Sequence, residues 1–345
     1  NGRRSGLSTR RPIPENQSEE NMRLFGSVWI GAIVALIAMV MGGWLFPEWV
    51  MFLMSIALAK GLVAMGLVGL MRGGLVSFGQ GLYFCLGAYA AGFASSWFNI
   101  TDIFLLSLVG IVLSATMGII FGPLLASYRG IFFAMLSLSL SMILYGVLSK
   151  MSVIGGTDGI NISSPTFLGY EPEGRELGLS IYLYTCLVTV VAGSLMRIFF
   201  DSHRGLISLA IRDNELRVEY LGASVRSVIS INYVFAAILG GLGGVIAGLA
   251  IGHVDPEYAY WTTSGEFVFV AILAGHLSIP AVILSSIVLE VVRSFSNLYF
   301  PNTWQLSLGI FLLIVILLLP KGLGSLKLFT KKSERAKAND AEEKS

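Results

Sequence analysis

The sequence predicts an all-α polytopic membrane protein with about ten transmembrane helices, cytoplasmic N- and C-termini, and a charged cytoplasmic helix between spans 6 and 7. Three observations carry that reading. Of 345 residues, 55% are hydrophobic and 13% charged, where a soluble domain carries roughly 25% charged residues; the mean hydropathy is +0.77. Charge-free windows run from Gly73 to Thr101, Ile103 to Tyr128, Gly130 to Ser149, Leu177 to Met196, Ser227 to Gly252 and Ser294 to Pro320. Each reaches the roughly 18–20 residues that cross a hydrocarbon core. Finally, the basic residues fall almost entirely on one side of the spans so defined.

The predicted spans lie near 25–46, 50–71, 75–97, 103–126, 131–149, 180–200, 228–251, 258–275, 281–298 and 304–320. The first follows about 25 polar residues and lacks a cleavage-type end, so it is read as a retained span. The eighth is the weakest, because its apolar part, Phe267 to Ala274, is short and Glu266 opens it. It is read as a crossing or as a half-helix leading into the break Gly275-His276-Leu277-Ser278-Ile279-Pro280. With both termini inside, 19 of the 23 Lys and Arg residues fall on the cytoplasmic side. Lys150 and Arg175 fall outside, and Lys60 and Arg293 lie within spans. The positive-inside rule requires such an asymmetry. Omitting span 8 would put the tail lysines outside.

The chain then divides into a cytoplasmic, disordered segment 1–24, a transmembrane domain 25–325 and a disordered cytoplasmic tail 326–345. Within the domain, a large periplasmic loop covers 150–179 and a charged cytoplasmic loop covers 201–227. Cys85 and Cys186 sit in apolar windows and form no disulfide framework.

The run from His203 to Arg226, HRGLISLAIRDNELRVEYLGASVR, is the best handle on function. Asp213 or Asn214 is placed to cap a short helix through Glu215, Leu216, Arg217, Val218, Glu219, Tyr220 and Leu221. Gly222 stands where a left-handed residue ends it. Leu209, Ile211, Leu216 and Leu221 are expected against the bundle, and Arg212, Arg217 and Glu219 are expected to face water or a partner. Charge alone leaves open a merely solvated loop.

This run resembles the coupling loop of permeases in the branched-chain amino acid class of bacterial ABC importers. The matching residues are Ala210-Ile211-Arg212-Asp213-Asn214-Glu215 followed by Leu221-Gly222. Further blocks are similar to the same family, in order: Leu75-Val76-Ser77-Phe78-Gly79-Gln80-Gly81 with Gly87-Ala88-Tyr89, Tyr128 to Leu136, Gly155-Gly156-Thr157-Asp158-Gly159, the glycine-rich seventh span, and Leu319-Pro320-Lys321-Gly322-Leu323. The resemblance covers roughly 50–325 and is closer to the LivM-type branch than to its LivH-type partner. It implies a transport subunit rather than an enzyme, in the bacterial inner membrane. It also implies a homologous second permease subunit, two ATP-binding subunits on the cytoplasmic face and a periplasmic solute-binding protein. Arg212, Asp213, Asn214, Glu215, Arg217, Glu219, Leu221 and Gly222 would then couple the chain to an ATP-binding subunit.

No Gly-Lys-Ser/Thr occurs, so this chain has no Walker A loop. No cofactor is expected in it; ATP and Mg would be used by the partner. No zinc-protease motif or Gly-x-Ser-x-Gly elbow is present, and nothing points to nucleic acid. His253, Asp255 and Glu257 have strand-like spacing broken by Pro256, so caps and loop hydrogen bonds account for them and no metal is expected.

A translocation path along the third and fifth spans would offer Ser77, Gln80, Tyr83, Phe133, Ser137 and Ser139. Gly74, Gly79 and Gly81 leave open a helix broken at the start of span 3. Ala236, Gly240, Gly244, Gly248 and Gly252 form a small-residue ridge on span 7, suited to close helix packing or to a pore or subunit interface. Glu290 and Arg293 lie three apart and can pair, and Lys60 needs a partner. A structural role and a gradient-driven transport role are both open for these charges. Branched-chain or other small amino acids are the solutes the resemblance implies, with urea, short amides or organic acids as alternatives. A self-sufficient channel or secondary transporter is the alternative of another class.

Overall fold

The computed structural model describes residues 16–275, 278–319 and 322–325. Among them, twelve α-helices follow one another: α1 (Asn16–Leu45), α2 (Glu48–Arg72), α3 (Gln80–Phe98), α4 (Ile103–Leu125), α5 (Gly130–Lys150), α6 (Arg175–Asp201), α7 (His203–Asp213), α8 (Glu215–Tyr220), α9 (Val225–Ile251), α10 (Trp261–Ala274), α11 (Ile279–Tyr299) and α12 (Trp304–Leu318). All but α7 and α8 correspond to the ten apolar segments of the sequence. Six of them, α2, α4, α5, α6, α9 and α11, are long and apolar enough to cross a membrane. Residues 1–15 and the tail 326–345 lie outside the described residues. The segment 1–24 is not all irregular as expected, because α1 already begins at Asn16.

α9 is the hub. α2, α3 and α4 pack around it, each against small residues. Toward α2, a Cβ on Gly243 would lie 2.5 Å from the Ala59 carbonyl oxygen, and one on Gly66 would lie 2.7 Å from Ala236 Cα. Toward α3, Gly244 meets the Phe84 carbonyl, Gly87 meets Gly241, and Gly248 meets Ala88. Toward α4, Gly241 meets Ser114 and Gly118 meets Ala237. Backbones approach at distances no side chain would allow. In lipid, where no hydrophobic effect drives helices together, such close dispersion contact supplies the cohesion. The ridge Ala236, Gly240, Gly244, Gly248 is therefore packing within this subunit. Its last member, Gly252, instead caps α9 with φ 75°.

Two spans start later than their apolar pattern. The third, expected from residue 75, is helical only from Gln80. A Schellman motif ends α2: Leu75 N donates to Leu70 O at 3.2 Å, Gly74 N donates to Met71 O at 3.1 Å, and Gly74 has φ 77°. The chain then runs without helix from Leu75 to Gly79, and α3 begins beside Gly240, past the middle of α9. The eighth span, expected from 258, is a helix only from Trp261, because Pro256 opens a 3₁₀ turn (Pro256–Ala259) that dips into the bundle. With 14 residues, α10 is about 21 Å long, short of the roughly 30 Å core.

A buried ion network holds this short helix. Lys60 Nζ on α2 donates to Glu266 Oε2 on α10 at 3.0 Å and to Glu290 Oε2 on α11 at 2.8 Å. Arg293 lies 3.3 Å from Glu266 and 3.4 Å from Glu290, and its guanidinium stands 5.4 Å from the Trp304 ring centroid. Two cations and two carboxylates neutralise one another across three helices. The expected Glu290–Arg293 pair is present, but it is half of a four-membered set that also takes up Lys60.

The loops gather at two ends. At one end, β1 (Ile160–Asn161) pairs antiparallel with β2 (His253–Val254). Asp102 Oδ1 caps α4 through Phe104 N and Leu105 N, while its Oδ2 accepts from Leu168 N at 2.8 Å. The segment 151–174 is thus stapled over that end as a cap. The opposite end carries α7 and α8.

Two outcomes test this packing. Gly244→Leu places a side chain on the Phe84 backbone and is expected to cost more than the 1–3 kcal/mol typical of overpacking. Gly146→Leu, with nothing within 4 Å of its Cβ position, should melt like wild type. Thermal unfolding in detergent compares them. Lys60→Met should destabilise by about 3–5 kcal/mol by leaving a carboxylate unpaired, and Lys60→Met with Glu266→Gln should recover part of that loss in a double-mutant cycle.

Candidate functional site: the α7–α8 end and the broken spans

At the charged end, Ser202 Oγ accepts from Gly205 N and starts α7. Ile211 is buried, Arg212 and Asp213 are exposed, and Asn214 separates α7 from α8. Of the two expected caps, Asn214 is the one used, its Oδ1 accepting from Arg217 N at 2.9 Å. Such a cap contributes about 1 kcal/mol. α8 ends in a second Schellman motif, with Gly222 N donating to Glu219 O, Ala223 N to Val218 O, and φ 87° at Gly222.

The seating of α8 differs from expectation. Val218 is its buried residue, packed with Leu125, Ala126 and Ile211. Leu216, Tyr220 and Leu221 are 64%, 89% and 82% exposed, so Leu216 and Leu221 do not rest on the bundle. A helix of six residues shows the bundle little more than one side chain, and Val218 takes that place. Leu209 is half-buried. The outward face of α8 thus combines three large apolar side chains with exposed Arg217 and Glu219.

Glu215 is engaged within the chain. Its carboxylate accepts a bidentate pair from Arg129, with Nε at 3.0 Å from Oε2 and Nη2 at 2.7 Å from Oε1. Arg129 also donates to the carbonyls of Ala126 and Tyr128. Arg226 donates to Pro123 O at 3.1 and 2.9 Å. The loop is therefore clamped to the α4–α5 corner by two arginines. The family-like block at Tyr128-Arg129-Gly130 contained this partner, but sequence spacing does not reveal a contact 86 residues apart.

The unwound stretch after α2 begins directly beneath α7. A Cβ on Gly73 would meet Ser208 Oγ at 3.2 Å, and one on Gly74 would meet Arg212 Cγ at 3.4 Å. Ser208 Oγ in turn accepts from Asn232 Nδ2 on α9 at 2.8 Å. Further along, Phe78 N donates to Ser137 Oγ at 3.2 Å, and Gly79 N to Ser77 Oγ at 3.2 Å. Gly81 N donates to Ser264 Oγ at 3.0 Å, and Ser141 Oγ donates to Ala259 O at 2.7 Å. The two broken spans thus meet in mid-bundle, where side chains of α5 and α10 satisfy backbone groups that no helix satisfies.

Five of the six expected path residues come together there. Ser77, Gln80, Tyr83, Phe133 and Ser137 are fully buried. Tyr233, not singled out from the sequence, completes the cluster, its ring 5.6 Å from Tyr83 and 6.1 Å from Phe133, both edge-on. Ser139 does not join them. It is exposed, two residues round from Ser137 on α5, and bonds Met135 O. At the capped end, His253 Nδ1 lies 2.8 Å from Asn161 Oδ1, and Asp255 accepts from Glu257 N. Both are engaged in local loop bonds.

Residues 50–319 match the family described as branched-chain amino acid transport system / permease component. The permease protein LivM of the high-affinity branched-chain amino acid transport system of Salmonella typhimurium is 26% identical over 274 residues, 72% of this chain and 64% of the relative. That of Escherichia coli K12 is 25% identical over the same length. LivH of Salmonella typhimurium is 27% identical over 139 residues, 40% of this chain and 45% of its own. The chain thus spans 64% of the length of the LivM relatives. No solved structure matches it. A match over most of the chain, joined to an all-helical bundle with an exposed helix at one end, makes this protein a member of the branched-chain amino acid permease family.

Proposed function

We propose that this chain is a transmembrane subunit of an ABC importer for branched-chain or other small amino acids, working by alternating access. The observation that carries the proposal is the physical continuity at the charged end. α7 lies directly on Gly73 and Gly74, and the unwound stretch that starts there ends in the mid-bundle cluster. A push on α7–α8 is therefore delivered to the one part of span 3 with no helix to resist it. The energy would come from ATP and Mg bound in partner subunits, two of them docked on the cytoplasmic face.

The exposed Leu216, Tyr220 and Leu221, flanked by Arg212, Asp213, Arg217 and Glu219, form the docking face of α8 for such a subunit. Glu215 and Gly222 set its angle through the Arg129 clamp and the left-handed turn. In this reading the chain has ten spans in the inner membrane, both termini cytoplasmic and the 151–174 cap periplasmic, where a solute-binding protein delivers cargo. A homologous second permease completes the pore; relatives of both the LivM and LivH kinds are consistent with a pair. Urea, short amides or organic acids carried by the same machinery are the second reading of cargo. A gradient-driven transporter is less well supported, because Lys60, Glu266, Glu290 and Arg293 already neutralise one another. An ATP-binding subunit that co-purifies with the chain supports the importer; uptake by this chain alone in vesicles sinks it.

Glu215→Lys sets a cation against Arg129 and is expected to abolish ATP-driven uptake while the protein still inserts and melts within a few degrees of wild type, since a half-exposed pair contributes about 1 kcal/mol. The swap Glu215→Arg with Arg129→Glu should restore most uptake. Wild-type uptake and ATPase stimulation in Glu215→Lys would refute the coupling role.

A further inference from the structure

We propose that Gln80, Tyr83 and Ser114 form the polar wall of a solute cradle in mid-bundle, against Gly240 and Gly241, that takes the charged end of a small apolar amino acid. This inference rests on the import reading and names where its cargo is held.

Buried side-chain polar atoms nearly always have hydrogen-bond partners, so each exception requires a cause. Among the described residues, Gln80 Oε1, Gln80 Nε2 and Ser114 Oγ lack one, while the Tyr83 hydroxyl turns toward that of Tyr233. All three residues are fully buried. They come from two helices and converge on one stretch of α9. A Cβ on Gly240 would lie 3.4 Å from Gln80 Oε1 and 3.0 Å from Tyr83 Cβ, and a Cβ on Gly241 would fall on Ser114 Oγ. The glycines thus let these groups seat directly against the α9 backbone. Neighbouring polar side chains do not behave this way: Ser77, Ser137, Ser141 and Ser264 are all spent on backbone groups of the broken spans.

The chemistry of this set fits a zwitterion. A primary amide offers two donors for a carboxylate and an acceptor for an ammonium, and the two hydroxyls serve either. The edge-to-face rings of Tyr83, Tyr233 and Phe133 stand beside them, suited to an apolar side chain and, through their faces, to an ammonium. Access requires displacing Leu75 to Gly79, which is not helical, so the cradle opens without breaking helix hydrogen bonds.

Two measurements on the full-length chain test this. In nanodiscs without partners, L-leucine should raise the Tm of the wild type and leave that of Gln80→Leu unmoved. With partners in vesicles, Gln80→Leu should lower leucine uptake kcat/KM about tenfold, the scale of one lost buried hydrogen bond, while its own ligand-free Tm stays level or rises because an unpaired amide has gone. Ser114→Ala, a smaller change, should lower uptake in the same direction. A Gln80→Leu protein that responds to leucine and transports it as wild type does overturns the cradle and makes Gln80 a packing residue. A leucine-dependent Tm shift that Gln80→Leu abolishes, in a chain that recruits no ATP-binding subunit, upholds the cradle and overturns the importer.

Discussion

Everything in this bundle depends on how closely three helices approach α9. Positions 241, 243 and 244 press against α4, α2 and α3 with backbone almost touching backbone. In a bilayer the solvent offers no gain for burying one apolar surface against another, so cohesion rests on dispersion contact, of which a gap of about 0.5–1 Å already forfeits a quarter to a half. A single methyl group at these positions separates the helices and removes the contacts of its neighbours as well. The hub also explains why breaks elsewhere are tolerated. α3 and α10 begin part-way along the bundle, yet the scaffold they lean on is continuous.

The same physics sets where irregular backbone is allowed. Unpaired N–H and C=O groups are too costly in hydrocarbon to face lipid. Here they face serines. Ser137 and Ser264 accept from backbone amides, and Ser141 donates to a backbone carbonyl. The charges obey a parallel rule. Lys60, Glu266, Glu290 and Arg293 share one neutral network, and it ties to its neighbours a helix too short to hold its own position.

Much of this was legible in the sequence because it follows from local rules. Asn214 and Gly222 end a helix by capping chemistry that needs no tertiary knowledge, and the ridge from Ala236 to Gly248 is a four-residue period. The start of span 3 was only half legible. Glycines at 74, 79 and 81 signalled a break, but hydropathy averages across it and placed the helix five residues early. The errors lie where a partner is distant in sequence. Leu216 and Leu221 were assigned to the bundle because they are apolar, whereas the geometry of a single turn gives that place to Val218. Glu266 read as a flaw in span 8, since its partners on α2 and α11 cannot be inferred from spacing. Ser139 shares its residue type with Ser137 and, two positions along a helix, faces the opposite way.

The offset of the two breaks has a mechanical consequence. α3 carries full helix toward the capped end and loose chain toward the charged end; α10 reverses that arrangement. At the level of Gly81 and Ser264 the two meet, and neither crosses it as a rod. That level is a seam. Stiffness across it is lent by the unbroken helices, α2, α4, α5, α6, α9 and α11 among them, so the bundle is less stiff at that level than its number of helices suggests.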